Sequence, residues 1–304
     1  MLRQELKRYV ELKLSLGFRF ADQARLLGRF VHFAEERGDE LIRTARVIEW
    51  LFHAPSRQRK HDWLIIVRHF AIWLHAEDDR HEIPPPDAVG RVVRARPLPH
   101  IMSPEDISRI VHAAGGLEPE GSFRSVMYPA LFGIMAATGI RISEAIALVF
   151  DDITEDGIII RQTKFRKSRL VPLHETSRKA LDSYLIERKR LGGSSDSVFV
   201  VNTGRTPDRS TVSRVFLAIV RSLGLKGGPG HRGPRLHDLR HSFAVRCLEQ
   251  CGGDRETINR RIAALSTYLG HACVSDTYWY LEATPLLMKQ IAQAGEHQYR
   301  GAGA

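Results

Sequence analysis

Between residues 81 and 100 the chain reads HEIPPPDAVGRVVRARPLPH, and no helix can run through that stretch. Pro84, Pro85 and Pro86 each lack the backbone N–H a helix needs, and Pro97 and Pro99 interrupt the chain again a dozen residues later. Arg91, Arg94 and Arg96 lie between the two proline groups. A stiff, basic segment at this place in a chain of 304 residues reads as a linker between two domains of ordinary size. The expected division is a helical domain at 1–83, the linker at 84–102 and a second domain at 103–304.

Hydrophobic spacing predicts what each side contains. Three apolar patterns near the helical period precede the linker. The first is Leu6, Tyr9, Val10, Leu12, Leu14 and Leu16, and the second is Leu26, Leu27, Phe30, Val31 and Phe33. The third is Trp63, Ile66, Val67, Phe70, Ile72, Trp73 and Leu74. After the linker, Ser103 is a good N-cap with Pro104 at the first helical position and Asp106 two residues on. A buried helix is expected over 123–138, stopped by Gly139. Runs rich in Ile and Val predict strands at 157–163, 169–173 and 198–202. Further helices are expected near 175–191, 210–223, 236–250, 254–268, 275–282 and 285–294. The fold class is therefore mainly α with a small antiparallel sheet.

Apolar residues make up 43% of the chain, enough to bury a real core, and the formal net charge is +10. A basic excess of this size favours a polyanionic partner, because each neutralised phosphate releases condensed counterions. No apolar run approaches the roughly 18 residues of a membrane span, and the N-terminus shows no apolar signal core, so a cytoplasmic protein with no membrane partner is expected. Cys247, Cys251 and Cys273 form no disulfide framework. Cys247 and Cys251 are four apart, either as a metal pair or as two small apolar residues on one helix face.

Four local patterns carry possible chemistry. In ATGIRISEAIAL, Arg141 follows a helix-ending glycine within an apolar segment, where it needs a compensating anion. Glu144, three residues on, is one candidate and a phosphate is another. In RQTKFRKSRLVPL, residues 161–173, the basic residues Arg161, Lys164, Arg166, Lys167 and Arg169 fall between two strand-like runs with no acid among them. Such a tip repels itself unless a polyanion arrives, or it is an ordinary solvated turn. In RLHDLRHSFAVRCL, residues 235–248, His237 and Arg240 are neighbours on one helix face. They pair a proton-moving group with a two-pronged donor to phosphate oxygens. His237 and His241, four apart, also fit a zinc helix in part, but Asp238 stands where that motif has Glu. In YLGHACVSDTYWYLEATPLL, residues 268–287, His271 follows Gly270, and Tyr278 and Tyr280 lie on a short helix.

The order of these patterns resembles the tyrosine recombinase or phage integrase family, Xer-type recombinases and lambda-type integrases included. It runs Arg, a basic hairpin with Lys, His-x-x-Arg, Leu-Gly-His, then Tyr nine residues later. The likeness covers roughly 103–295, and the LGFRF turn with its helices resembles the family's core-binding domain more weakly. The resemblance implies a catalytic set of Arg141, Lys164, His237, Arg240, His271 and Tyr280. Arg141 and Arg240 would clamp the phosphate, and Lys164 would protonate the leaving 5′ oxygen. His237 would act as base or second donor, and His271 as a donor. Tyr280 would attack phosphorus and leave a 3′-phosphotyrosine. Family spacing selects Lys164 over Lys167, by its place eight residues before Pro172, and Tyr280 over Tyr278.

On the same resemblance no cofactor and no metal is required. The partner is double-stranded DNA, bound by four protomers on two sites, alone or with a related recombinase. DNA-contact candidates are Arg57, Arg59 and Lys60, linker residues Arg94 and Arg96, and hairpin residues Arg166 and Lys167. Three other readings stay open: a relaxase of the type IB topoisomerase kind, a DNA-binding protein that keeps the fold without the chemistry, and a zinc hydrolase using His237 and His241. The ending YWYLEATP resembles transposon-associated integrases.

Overall fold

The computed structural model describes residues 2–90, 99–119, 121–161, 168–226, 233–250, 255–271 and 273–282. The chain divides into two compact units, Met1–Pro97 and Leu98–Ala304.

Among its described residues the first unit holds four helices, α1 (Leu2–Ser15), α2 (Ala21–Glu35), α3 (Thr44–Leu51) and α4 (Arg57–His75). Its core joins Leu2, Leu6 and Tyr9 to Leu27, Phe30, Val47, Trp50, Leu64, Val67 and Phe70. Trp50 anchors it, stacked on Trp63 at 4.6 Å between ring centroids with Phe30 edge-on at 5.3 Å. Two expectations need correcting. Leu12, Leu14 and Leu16 are exposed rather than part of the core stripe. Spacing of two puts successive leucines on different sides of a helix, and α1 ends at Ser15 before Leu16 is reached. Helix α3 goes unannounced by periodicity, because TARVIEWL is too short to show it, yet it supplies Val47, Trp50 and Leu51.

Part of the proline-rich stretch is tied to this unit. Arg68 Nε donates to the Pro84 carbonyl at 3.0 Å, and Ala88 and Val89 pack against the core. At the other end, Met102 is buried in the second unit and its N–H donates to Ser242 Oγ at 2.8 Å.

The second unit begins as the sequence reads. Ser103 Oγ accepts from Asp106 N–H at 3.1 Å and opens α5 (Pro104–Gly115). Helix α6 (Arg124–Thr138) is buried along much of its length and stops at Gly139, whose φ of 64° is left-handed. A Cβ there would meet Phe243 Cδ1 at 2.5 Å, so the position needs glycine on both counts. A short α7 (Ile142–Ala145) follows, then an antiparallel sheet in the order β1 (Ile153–Thr154), β2 (Gly157–Ile160) and β3 (Arg169–Val171). Register pairs Ile158 with Val171 and Ile160 with Arg169, and Ile158, Ile160 and Val171 face the core.

Helices α8 (Glu175–Leu191), α9 (Arg209–Ser222), α10 (Asp238–Glu249), α11 (Arg255–Leu269) and α12 (Ser275–Glu282) complete the described part. The run at 198–202 is not a strand. Val198, Phe199 and Val200 are buried, but the backbone there is bonded to Leu148 O, Tyr184 OH and Arg205 O, with one isolated bridge between Val149 and Ser197. A continuous apolar run signals burial, and among the described residues this one pairs only through that single bridge, too little to make a ladder. The helix expected at 285–294 and Cys251 lie outside the described residues. Among the described residues no helix is long and apolar enough to cross a membrane.

Candidate active site

The site forms where the ends of α6 and α11 meet the starts of α7 and α10. Helix α10 is preceded by His237 as N-cap, and Asp238 occupies its first position, where a carboxylate suits the helix dipole. Asp238 is fully buried and accepts from Arg235 three times, from N at 2.8 Å, Nε at 3.3 Å and Nη2 at 3.1 Å.

Arg240, in the first turn of the same helix, is 1% exposed. Its Nη1 donates to Gly139 O and its Nη2 to Leu269 O, each at 2.7 Å. Those carbonyls sit at the C-terminal ends of α6 and α11, where partial negative charge gathers, so two helix ends hold one buried cation. Burial, and then the like charge of Arg141, pushes the Arg240 guanidinium down to about 10.

Arg141 caps α7. Its Nη1 donates to Glu144 Oε1 at 2.8 Å, its Nη2 to Gly270 O at 3.0 Å, and its backbone N–H to Glu144 Oε2 at 2.9 Å. Of the two anions considered for Arg141, the structure shows Glu144 as its partner, and the Arg141 side chain stays about 30% exposed. Glu144 is shared. Arg169 on β3 donates from Nη2 to Oε2 at 2.7 Å and from Nη1 to Oε1 at 3.2 Å. Burial alone would raise the Glu144 carboxyl, but the donations from Arg169 and Arg141 outweigh it and hold the group below its usual range.

The basic hairpin is accordingly less self-repelling than its composition implies. Arg169 pairs with Glu144 and Arg161 with Asp152, acids supplied from elsewhere in the chain. Lys164, Arg166 and Lys167 lie outside the described residues, as do Arg94 and Arg96.

Gly270, at φ 65°, ends α11 and turns the chain into His271. A Cβ at Gly270 would meet Arg169 Nη1 at 2.8 Å, so this glycine keeps the guanidinium in place. His271 Nδ1 lies 2.7 Å from the hydroxyl of buried Thr277, a bond that fixes the ring on one side. The His271 ring stacks on Tyr280 at 6.1 Å between centroids.

Tyr280 is 2% exposed, and its hydroxyl lies 3.2 Å from His241 Nδ1. Its hydroxyl also acts electrostatically on Arg240. Tyr278, two residues earlier, is 47% exposed and turned outward, so only one of the two tyrosines joins the cluster. His237 packs edge-on against His241 at 4.5 Å. Desolvation by the surrounding protein, with the charges of Arg240, Arg141 and Arg235, pushes the His237 ring down to about 4, although the residue itself is exposed.

Arg141, His237, Arg240, His271 and Tyr280, spread over 140 positions, therefore come together. Arg57, Arg59 and Lys60 lie elsewhere, in the first turns of α4, where Ser56 Oγ accepts from Arg59 N–H and Lys60 Nζ sits over the Phe52 ring. Sequence reasoning does not assign three contributors. It counts Arg169 only as hairpin charge and His241 only as a zinc ligand, and it passes over Thr277. Among the described residues no group of three or more His, Cys, Asp or Glu side chains is placed to hold a metal ion. The cluster sets Arg141, Arg169 and Arg240 against the one carboxylate of Glu144, with Arg235 matched by Asp238. That imbalance is what an oxyanion would relieve.

Comparison with known proteins shows what the chain as a whole is similar to. Residues 100–286 match the model of the phage integrase family. A Sinorhizobium fredii (strain NBRC 101917 / NGR234) protein named as an integrase/recombinase, y4rB, is 36% identical over 98% of this chain and 98% of its own. The tyrosine recombinase XerD of Brucella suis biovar 1 (strain 1330) is 28% identical over 84% of this chain and 81% of its own. A lambda integrase dimer bound to a COC′ core site shares the fold, with a TM-score of 0.65 at 18% identity, over 93% of this chain and 77% of that one.

Proposed function

The chain belongs to the phage integrase family of tyrosine-type site-specific DNA recombinases, and from that premise we propose that it cuts and rejoins DNA through a covalent bond to Tyr280. One observation carries the reading. Tyr280 meets His241 through its hydroxyl, stacks its ring on His271 and lies in the field of Arg240, inside a cluster with more cations than anions.

A phosphodiester entering this cluster brings the missing negative charge. Arg141 and Arg240 grip the non-bridging oxygens, where charge grows as phosphorus becomes five-coordinate. His271, its Nδ1 side fixed by Thr277, offers Nε2 to the same oxygens. His237, held neutral by desolvation first and by its cationic neighbours second, is suited to donate to the phosphate rather than to carry charge. Tyr280 Oη attacks, leaving a 3′-phosphotyrosine, and Lys164 protonates the departing 5′ oxygen to a hydroxyl. The ester keeps the energy of the broken bond, so a 5′ hydroxyl from another strand rejoins it without ATP. Charge supplied by arginine does the work a divalent ion does elsewhere, so no metal is needed.

Since Tyr280 is almost fully covered, α12 must shift before a phosphate can reach it, and DNA binding supplies the energy for that shift. The substrate is double-stranded DNA, and exchange between two sites calls for four protomers, two per site, either all of this chain or shared with a related recombinase. Arg57, Arg59, Lys60, Arg94, Arg96, Arg166 and Lys167 supply phosphate contacts.

The test is a nicked duplex whose short cleaved fragment diffuses away and traps the intermediate. The wild-type protein forms an adduct that survives denaturant, and Tyr280→Phe forms none while still binding the duplex. An undiminished adduct in Tyr280→Phe refutes the assignment.

A further inference from the structure

A phenol is a poor nucleophile until something takes its proton, and the site offers two imidazoles near Tyr280 besides His271. They differ in what surrounds them. His237 is desolvated by the protein around it and stands among Arg240, Arg141 and Arg235, whose charges also oppose a proton on its ring and together outweigh the opposite pull of Asp238. His241, next after Arg240 on α10, is buried and touches the phenol itself, Nδ1 to Oη, at 3.2 Å.

The other side of the His241 ring decides its tautomer. Nε2 faces Asp238, with Oδ1 3.9 Å away, beyond hydrogen-bond reach but close enough for its charge to be felt. Asp238 is held by its three bonds from Arg235, so the carboxylate cannot turn aside. A carboxylate on that side favours the hydrogen on Nε2, which leaves the lone pair on Nδ1. Tyr280 is then the donor across the 3.2 Å contact. The edge-on contact with His237 at 4.5 Å keeps the ring from rotating out of line.

On the reading that Tyr280 is the nucleophile, we propose that His241 is the general base of strand cleavage, with Asp238 as the group that orients it. The phenolic proton passes to His241 Nδ1 as the Oη–P bond forms. The P–O5′ bond breaks in the same displacement, its electron pair leaves with the 5′ oxygen, and that oxygen takes a proton from the general acid. In rejoining, the incoming 5′ hydroxyl gives its proton to the general acid deprotonated in cleavage, the new P–O5′ bond forms as the Oη–P bond breaks, and His241 returns its proton to the departing phenolate. One proton enters and one leaves at each step, so no co-reactant is needed. Asp238 offsets the charge of the imidazolium while it lasts. Nucleophile, base and orienting carboxylate thus follow one another in space, the general arrangement for activating a weak nucleophile.

The experiment is single-turnover adduct formation on a nicked duplex selected from a randomised pool by covalent capture on the wild-type protein. His241→Phe keeps the ring's shape without a proton acceptor. His241→Asn keeps an acceptor near the Nδ1 position but cannot hold a proton, and it stands in should the first variant fail to fold. Both are expected to slow cleavage by about 10²–10⁴-fold, the usual range for a general base, with duplex binding retained. Replacing Tyr280 by a difluorotyrosine, whose phenol is more acidic, is expected to recover about tenfold or more in the His241 variants and to change the wild type little. A merely structural role for His241 does not predict that recovery.

A folded His241→Asn protein cleaving at the wild-type rate overturns the proposal, as does a slow variant that the acidic phenol leaves slow. Tyr280→Phe on the same duplex separates the two levels. If it still forms the adduct, or if the wild type captures no duplex, the nucleophile reading falls and takes the base with it. If the adduct is lost in Tyr280→Phe but untouched in His241→Asn, only the role of His241 falls.

Discussion

The two units bury different kinds of side chain. In the first, the interior is Leu, Val, Phe and Trp, and its charges pair at the surface, as Arg8 does with Glu77 and Arg43 with Glu82. Among the described residues, His81 is its one buried polar side chain. The second unit buries Arg240, Asp238, His241 and Thr277 within a few ångströms of one another's partners. Apolar burial favours the folded state wherever it occurs, whereas a buried cation is a cost unless something answers it. The first unit is thus arranged for stability. The second holds a cluster of cations that two helix ends and the carboxylate of Glu144 answer in part.

Arg240→Met breaks this contrast most sharply. Loss of the clamp is expected to slow adduct formation by at least about 10³-fold. Stability is expected to change by no more than about 2 kcal/mol, because relief from burying a cation offsets the donors lost by Gly139 O and Leu269 O. Single-turnover cleavage and denaturant unfolding on the same sample check both halves. A variant that unfolds outright shows that Arg240 serves the fold first.

Trp50→Ala tests the opposite side. Removing a buried ring stacked on Trp63 is expected to cost about 3–5 kcal/mol, with cleavage by duplex-bound, folded protein unchanged. Urea unfolding read beside the adduct rate is the measurement, and a rate that falls with stability denies the separation.

Glu144→Gln should fall between these. Arg141 and Arg169 lose their carboxylate, for a loss of about 1–3 kcal/mol that added phosphate or sulfate partly restores. Because the Glu144 carboxyl is held below its ordinary value of 4.5, its stabilisation is fully present above that value and is lost as pH falls through the lower folded value. Unfolding measured from neutral pH down to about 3 should show less acid sensitivity in Glu144→Gln than in the wild type. Equal sensitivity removes Glu144 as the cause.

Arg8→Ala, the smallest change, leaves the unfolding midpoint where it was, since its bonds to Glu5 and Glu77 are made in water. A clear loss would place part of the first unit's stability in its surface charges.

Much of this was legible from local signals. Ser103, Pro104 and Asp106 mark the start of α5, Gly139 the end of α6, and Ile158 and Ile160 the inward face of β2. Family order picked out Arg141, His237, Arg240, His271 and Tyr280, which the fold gathers into one cluster. Elsewhere the same kind of reasoning failed for identifiable reasons. Val198–Val200 is apolar because it is buried, and burial alone does not make a ladder. Arg169 looked like hairpin charge because its acid, Glu144, lies 25 positions away.

The amino-acid order by itself determined most of the elements, α3 and the run at 198–202 excepted, and their chemical inventory, because caps, turns and side-chain periodicity act within a few residues of chain. Tertiary structure alone decided which groups answer one another. Arg240 reaches carbonyls 101 and 29 positions distant, and the Tyr280 hydroxyl meets an imidazole 39 positions before it. Such pairs depend on how α6, α10, α11 and α12 pack, and periodicity describes the face of one helix, not the face it will meet.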